Sequence, residues 1–242
     1  MTKSSSAPAK KVAAVAVQRK RGKKYRECAA LRTKGRYEIA EAMELLPKLS
    51  TTKFDATAEV HIRILADTTQ ADQLVRTTVA LPHGTGRTVR VAAFVPDDRI
   101  AEAKKAGADL AGKEDLIAQI EKGIIDFDIA VAAPEVMKEL GKVAKTLGQK
   151  GLMPNPKSGT VTTNVAKTIA ELKKGRIECK MDKQGIIHAT FGKLSFGTDK
   201  LKENLEALLH AVKEAQPSGI KGEYIASVTV APTMGPSLRL SL

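Results

Sequence analysis

The chain has 242 residues, enough to bury a sizeable core and to form two domains of about 100–150 residues each. Its formal net charge is +13, its two cysteines (Cys28 and Cys179) lie far apart with no CxxC pair, and its longest apolar opening run, Val12 to Val17, is six residues. These features exclude a disulfide framework or zinc ribbon and a membrane span or secretory core, so the expectation is a soluble protein of a reducing cytosol. The acid-poor, Ser- and Lys-rich start also permits an organelle transit peptide, although it lacks an amphipathic helix.

Charge is unevenly placed. Residues 1–36 hold 12 Lys+Arg and a single acid, Glu27, for a net of +11, while the remainder holds 28 basic and 26 acidic residues. Such a segment cannot bury enough surface to fold alone, so residues 1–24 are expected to be a basic disordered tail. Arms of that kind bind phosphate backbones without reading sequence, through counterion release; a merely solubilising tail is the plainer alternative.

From Tyr37 to Ser50, Ile39, Ala42, Met43 and Leu46 recur at helical spacing and Pro47 closes the run. Ala58, Val60, Ile62 and Ile64 then alternate with Glu59, His61 and Arg63, the period of a half-exposed strand. Beyond residues 81–87 the texture changes to continuous apolar strands, 89–95 and 127–133, of the type buried on both faces. Helices are predicted over 99–106, 114–122, 135–147 and 164–174, with Asn164 as N-cap and Gly175 as the stop. Alternating texture returns after Gly175: residues 176–182 and 186–190 read as a hairpin around Lys183-Gln184-Gly185. Thr198 is placed as the cap of a helix striped by Leu201, Leu205, Leu208, Leu209 and Val212. A final strand spans 223–230.

Both ends of the chain share one texture and the middle another. The expected fold class is therefore mixed α/β and α+β in two domains: a discontinuous α+β domain of residues 25–84 and 176–242, and an inserted α/β domain of residues 85–175. Two covalent crossings, near Gly84-Thr85-Gly86 and between Pro154 and Gly175, would make a hinge.

Catalytic constellations are missing. His61, His83, His188 and His210 carry no Asp/Glu partner at recognisable spacing, although His61 and His188 could share a surface, and no Ser or Cys sits in a nucleophile motif. The stretch HGTGRT (83–88) lacks the Gly-Lys-Ser/Thr of a phosphate loop and leads into a strand. Lys157, in the proline-stiffened loop 152–161, offers a cation that could touch phosphate. The expectation is a protein that is not an enzyme and takes no metal or cofactor; a nucleotide-dependent enzyme and a DNA-binding regulator are the rivals.

Outside residues 1–36, the discontinuous domain carries 13 basic and 14 acidic residues and the inserted one 15 and 12, so nucleic-acid binding by the first would rest on shape. The tripeptide Thr233-Met234-Gly235 fits that need. It offers a compact hydroxyl, a flexible apolar arm and a position without a side chain, stiffened by Pro232 and Pro236, and such a surface suits RNA, whose shallow groove displays ribose hydroxyls.

The motifs KFD (53–55), TAEVH (57–61), VRTTVALPHGTG (75–86), LGQKGLMPNPKSGTV (147–161), DKQGIIH (182–188), DKLKENL (199–205) and TMGPS (233–237) closely resemble the bacterial L-one family of large-subunit ribosomal proteins, over about residues 24–240. The resemblance implies a discontinuous RNA-binding domain and an inserted Rossmann-like domain joined by a hinge. It implies binding to the large-subunit rRNA of the mobile stalk, beside the exit-site tRNA whose deacylated form the stalk helps release, and, in many members, repression of their own operon's mRNA. It also implies a monomer within the cytoplasmic ribosome, away from any membrane. Carried over by position, the RNA surface falls on Lys53, Phe54, Thr57, Glu59, Asp182, Lys183, His188, Thr233, Met234 and Gly235. Glu59 is expected to position a neighbour or accept from a ribose hydroxyl, and Phe54, on the residues alone, reads rather as a core aromatic at a strand start. The chain departs from the family at Met181, where Asn is usual, and Thr78, where Gly is usual.

Overall fold

The computed structural model describes residues 21–70, 73–217, 219–220 and 222–241; the expected tail over residues 1–20 lies outside them. Strand β1 (Thr57–Ile64) has the alternation that its sequence requires. Ala58, Val60, Ile62 and Ile64 are buried, whereas Thr57, Glu59, His61 and Arg63 lie on the opposite face. It is flanked by β7 (Ile186–Lys193) and β8 (Ile225–Pro232), both antiparallel, and β8 carries the short β9 (Leu238–Arg239) on its far side.

Two helices cover the apolar face of this sheet. Helix α2 (Ile39–Leu45) buries Ala42 and Met43, and α8 (Thr198–Glu214) buries its stripe of Leu201, Leu205, Leu208, Leu209 and Val212. Each fully buried Leu or Ile stabilises the fold by about 1.5–3 kcal/mol relative to leaving it exposed.

A separate cluster of buried side chains surrounds a parallel sheet in which β3 (Val91–Phe94) lies between β4 (Leu110–Gly112) and β5 (Ile129–Ala132). The outer helices are α3 (Ile100–Lys105), α4 (Glu114–Glu121) and α7 (Val165–Lys173). As the continuous apolar runs require, all four β3 side chains are buried. Asn164 caps α7 by accepting from Lys167 N–H at 3.3 Å.

An antiparallel ribbon of β2 (Arg76–Ala80) and β6 (Arg176–Lys180) packs on the main core through Val79 and Cys179. Thr78 accepts there from Arg176 Nη2 at 2.9 Å. Where the two connections cross, backbones touch: a Cβ added to Gly175 (φ +104°) would lie 2.4 Å from Gly84 Cα. Asn204, wholly buried on α8, ties this crossing down. Its amide donates to Gly84 O at 3.0 Å and Phe191 O at 2.8 Å, and its oxygen accepts from His83 N–H at 3.0 Å.

Several local expectations differ from the structure. The basic segment is folded from Lys23, because α1 (Lys23–Ala30) turns Tyr25, Cys28 and Ala29 inward at helical spacing while its cations stay exposed. The helix expected over 135–147 is broken into α5 (Met137–Leu140), a 3-10 turn at Gly141–Val143, and α6 (Ala144–Gln149); glycine costs about 1 kcal/mol in a helix interior. The residues read as a hairpin make only its turn, since β6 pairs with β2 and β7 with β1, leaving a lone Met181–Ile187 bridge between them. Thr198 is the first helical residue, with Gly197 in the N-cap position and no side-chain cap. Finally, β8 runs two residues past the expected end, through Pro232.

Candidate nucleic-acid interface

The open face of the sheet is polar because the pleat sends every second residue of β1 away from the core. Register places Glu59 between Thr190 and Ala231, His61 between His188 and Thr229, and Arg63 between Ile186 and Ser227.

At the Thr57 end, β8 finishes against β1 with Ala58 opposite Pro232. Thr233 N–H donates to Thr57 O at 3.0 Å, and the Thr233 hydroxyl donates to Glu59 Oε1 at 2.8 Å, with Thr57 O at 3.2 Å as a longer alternative for its single proton. The tripeptide hydroxyl therefore has a protein partner, and Glu59 positions it.

Met234 follows with φ +65°, the one positive value outside glycine among the described residues, and its side chain is 75% exposed. Its carbonyl accepts from the Thr51 hydroxyl at 3.2 Å. At Gly235 the protein's own backbone comes close. A Cβ there would meet Leu49 O at 2.6 Å and Pro232 Cγ at 2.5 Å. Its lack of a side chain serves packing, closing the turn with Gly235 N–H on Pro232 O at 2.9 Å.

The same end of the sheet receives the loop before β1. Lys53 is exposed, and Phe54 is 60% exposed rather than a core aromatic. The loop is held by Asp55, whose carbonyl accepts from Lys193 Nζ at 3.2 Å and whose carboxylate accepts from the Ser195 hydroxyl at 2.8 Å.

Asp182, Lys183 and His188 occupy the other end. Asp182 Oδ1 accepts from Gln184 N–H and Ile186 N–H, each at 2.8 Å; these bonds, with Ile186 the strongest, hold its carboxyl below the usual carboxylate range. Lys183 is exposed at the tip. The histidines do have partners, contrary to their isolation in sequence. His188 Nε2 lies 3.4 Å from Asp182 Oδ2, and His188 Nδ1 lies 2.8 Å from His61 Nδ1, one ring nitrogen donating to the other. Partial burial, then the proximity of His188, pushes His61 below the usual imidazole value. His83 pairs with Glu203 at 2.6 Å and His210 lies 3.5 Å from Glu214.

The ten expected residues thus form two groups rather than one. Ala58 and Arg63 are five steps apart on β1, about 17 Å at the usual rise per residue, and the polar tract Glu59, His61, Arg63 joins the groups. A cleft of about 650 Å³ is lined by Glu59 and His61 of this tract, by His188, and by Ile129, Met153 and Ser158. Thr51 and Asn204 were not singled out from sequence. A polar residue within the leucine stripe of α8 was the available signal for Asn204, but the contact of Thr51 with Met234 spans 183 residues and has none.

No helix among the described residues is long and apolar enough to cross a membrane, and no group of three or more His, Cys, Asp or Glu there could hold a metal ion. The model of the ribosomal protein L1p/L10e family matches residues 46–236. The chain is 52% identical over 227 residues to a large ribosomal subunit protein uL1 of Chloroflexus aggregans, covering 92% of this chain and 96% of that one. It is 48% identical over 223 residues to one of Kosmotoga olearia, covering 91% and 96%. Matched over most of its length, with ribosomal relatives rather than enzymes on either side, the chain belongs to the ribosomal protein L1p/L10e family.

Proposed function

We propose that the chain is a constituent of the large ribosomal subunit in the cytoplasm that binds a folded rRNA segment of the mobile stalk, without catalysis, cofactor or metal. One observation carries this. Phe54 and Met234, 60% and 75% exposed, are two large apolar side chains at the same end of a polar sheet, flanking the Glu59–Thr233 hydrogen bond. Exposed apolar groups set in a polar surround mark binding sites, and the shallow groove of RNA offers sugar faces for Met234, a base for Phe54 to stack on and ribose hydroxyls for the Thr233 and Glu59 oxygens.

The division into a discontinuous domain (25–84 and 176–242) and an inserted one (85–175) belongs to the same proposal. It is supported by the two separate buried clusters and the glycine crossing at Gly84 and Gly175. A hinge there lets the second unit meet the exit-site tRNA while the first holds rRNA, and binding of the chain's own operon mRNA would use the same sheet end.

The test is the affinity of Phe54→Ser and Met234→Ser for a stalk rRNA fragment. Both side chains are exposed, so folding is preserved while binding falls by at least about tenfold, or about 1.4 kcal/mol. Unchanged binding by both variants overturns the assignment.

A further inference from the structure

We infer that helix α1 is a second, fixed RNA contact that grips phosphates flanking the segment held by the Thr233–Gly235 turn; this rests on the function proposed above. The segment is one-signed: Lys23, Lys24 and Arg26 on the helix and Arg21, Arg32 and Arg36 beside it are all exposed, with Glu27 the one acid of residues 1–36. Among the described residues none of these six cations lies within ion-pair distance of a carboxylate, in contrast to Lys34, which is held by Glu41 at 2.7 Å. A row of unneutralised cations on a soluble protein selects a polyanion.

Position distinguishes this ridge from a floating arm. The inward side of α1, Tyr25, Cys28 and Ala29, faces the body, and Cys28 packs against the main core beside the turn Pro47–Leu49. Leu49 O is the atom that closes on Gly235. After the helix, Arg32 Nη1 donates to Ser237 O at 3.1 Å, and Tyr37 N–H donates to Arg239 O at 2.9 Å. The basic segment is therefore tied to the strand that follows the tripeptide turn, and its backbone keeps one geometry relative to Thr233 and Met234. Loose arms add affinity to any RNA, whereas fixed cations add it where phosphates stand at the matching positions.

The partner chemistry follows. The ridge meets the backbone of the same folded RNA whose sugar edge reaches the turn, so register along that RNA is set by the distance between them. Arg21, just before the helix, is held 4.8 Å above the Tyr25 ring.

The experiment uses the full chain with Lys23, Lys24 and Arg26 replaced together by Gln, which keeps helix propensity. Binding is measured by salt titration to the stalk fragment and to an unrelated hairpin of equal length, beside a control with Lys138, Lys142 and Lys145 replaced by Gln. The expected result is a salt slope shallower by about 2–3 for the stalk fragment and an affinity loss there at least about five times that for the unrelated hairpin, with little change in the control. Arg32→Lys, which keeps the charge but loosens the bond to Ser237 O, lowers affinity for the stalk fragment alone. Equal losses on both RNAs, or equal losses in the control, overturn the fixed contact. If Phe54→Ser and Met234→Ser lose stalk binding while the α1 variants keep it, this inference fails and the turn assignment stands; if neither set loses it, both fail.

Discussion

Thr233 and Glu59 are 174 positions apart in sequence and 2.8 Å apart in the fold, the threonine hydroxyl donating to the carboxylate across the end of the sheet. That bond fixes which groups face outward, because the hydroxyl proton is engaged and its lone pairs remain to accept. Replacing Thr233 with Val removes the donor and leaves Glu59 without it, so stalk-fragment affinity is expected to fall by about 1–3 kcal/mol. Glu59→Gln keeps an acceptor oxygen and costs less. Binding isotherms for both single variants and the double give the coupling; a Val variant that binds like the parent removes the hydroxyl from the interface.

Gly235→Ala is a packing test. Its Cβ would press on Leu49 O, a backbone atom that cannot rotate away. Overpacking of this kind costs about 1–3 kcal/mol, so the urea midpoint falls and RNA binding weakens as the turn is displaced. A variant as stable as the parent shows that the loop 47–52 yields.

Asn204→Leu tests the buried tie between α8 and the crossing. The substitution adds apolar bulk but strands His83 N–H, Gly84 O and Phe191 O, which Asn204 now satisfies. Each unsatisfied buried group costs about 1–3 kcal/mol, so a loss of about 3 kcal/mol or more in unfolding free energy is expected. A loss below about 1 kcal/mol shows that the three groups find other partners.

The His61–His188 pair predicts acid sensitivity. The His61 imidazole is held below its usual value, chiefly by burial and then by His188. The unfolded chain therefore binds the proton more readily, and the stability contribution is complete above about pH 6.5, the unfolded value, and lost as pH falls through the lower folded value. Asp182, also lowered, acts in the same sense in the more acidic range, through the usual carboxylate value and below. Unfolding free energies from pH 8 to 5 should fall for the parent and fall less for His188→Gln. Parallel curves assign the acid sensitivity elsewhere.

The alternation 58–64, the apolar runs of β3 and β5 and the stripe of α8 were legible because each depends on a periodicity of 2 or 3.6 in neighbouring residues. Composition located the cation excess in the first 36 residues, and the ordered motifs carried the family. Where the periodic signal is weak, local reading failed: Gly141 broke a helix, and an Asx turn at Asp182 resembled a hairpin whose strands in fact join different sheets.

The amino-acid order thus determined which residues are apolar partners, which end of the chain is cationic and which family the chain joins. Only the fold decided that Thr233 is satisfied by Glu59, that His61 meets His188, that Gly235 is filled by the protein's own backbone and that part of the basic segment is a docked helix. The physical reason is range. Helix and strand periodicities act over a few residues, whereas a hydrogen bond between residues 174 apart exists only after antiparallel pairing of β1 with β8 has fixed the register of both.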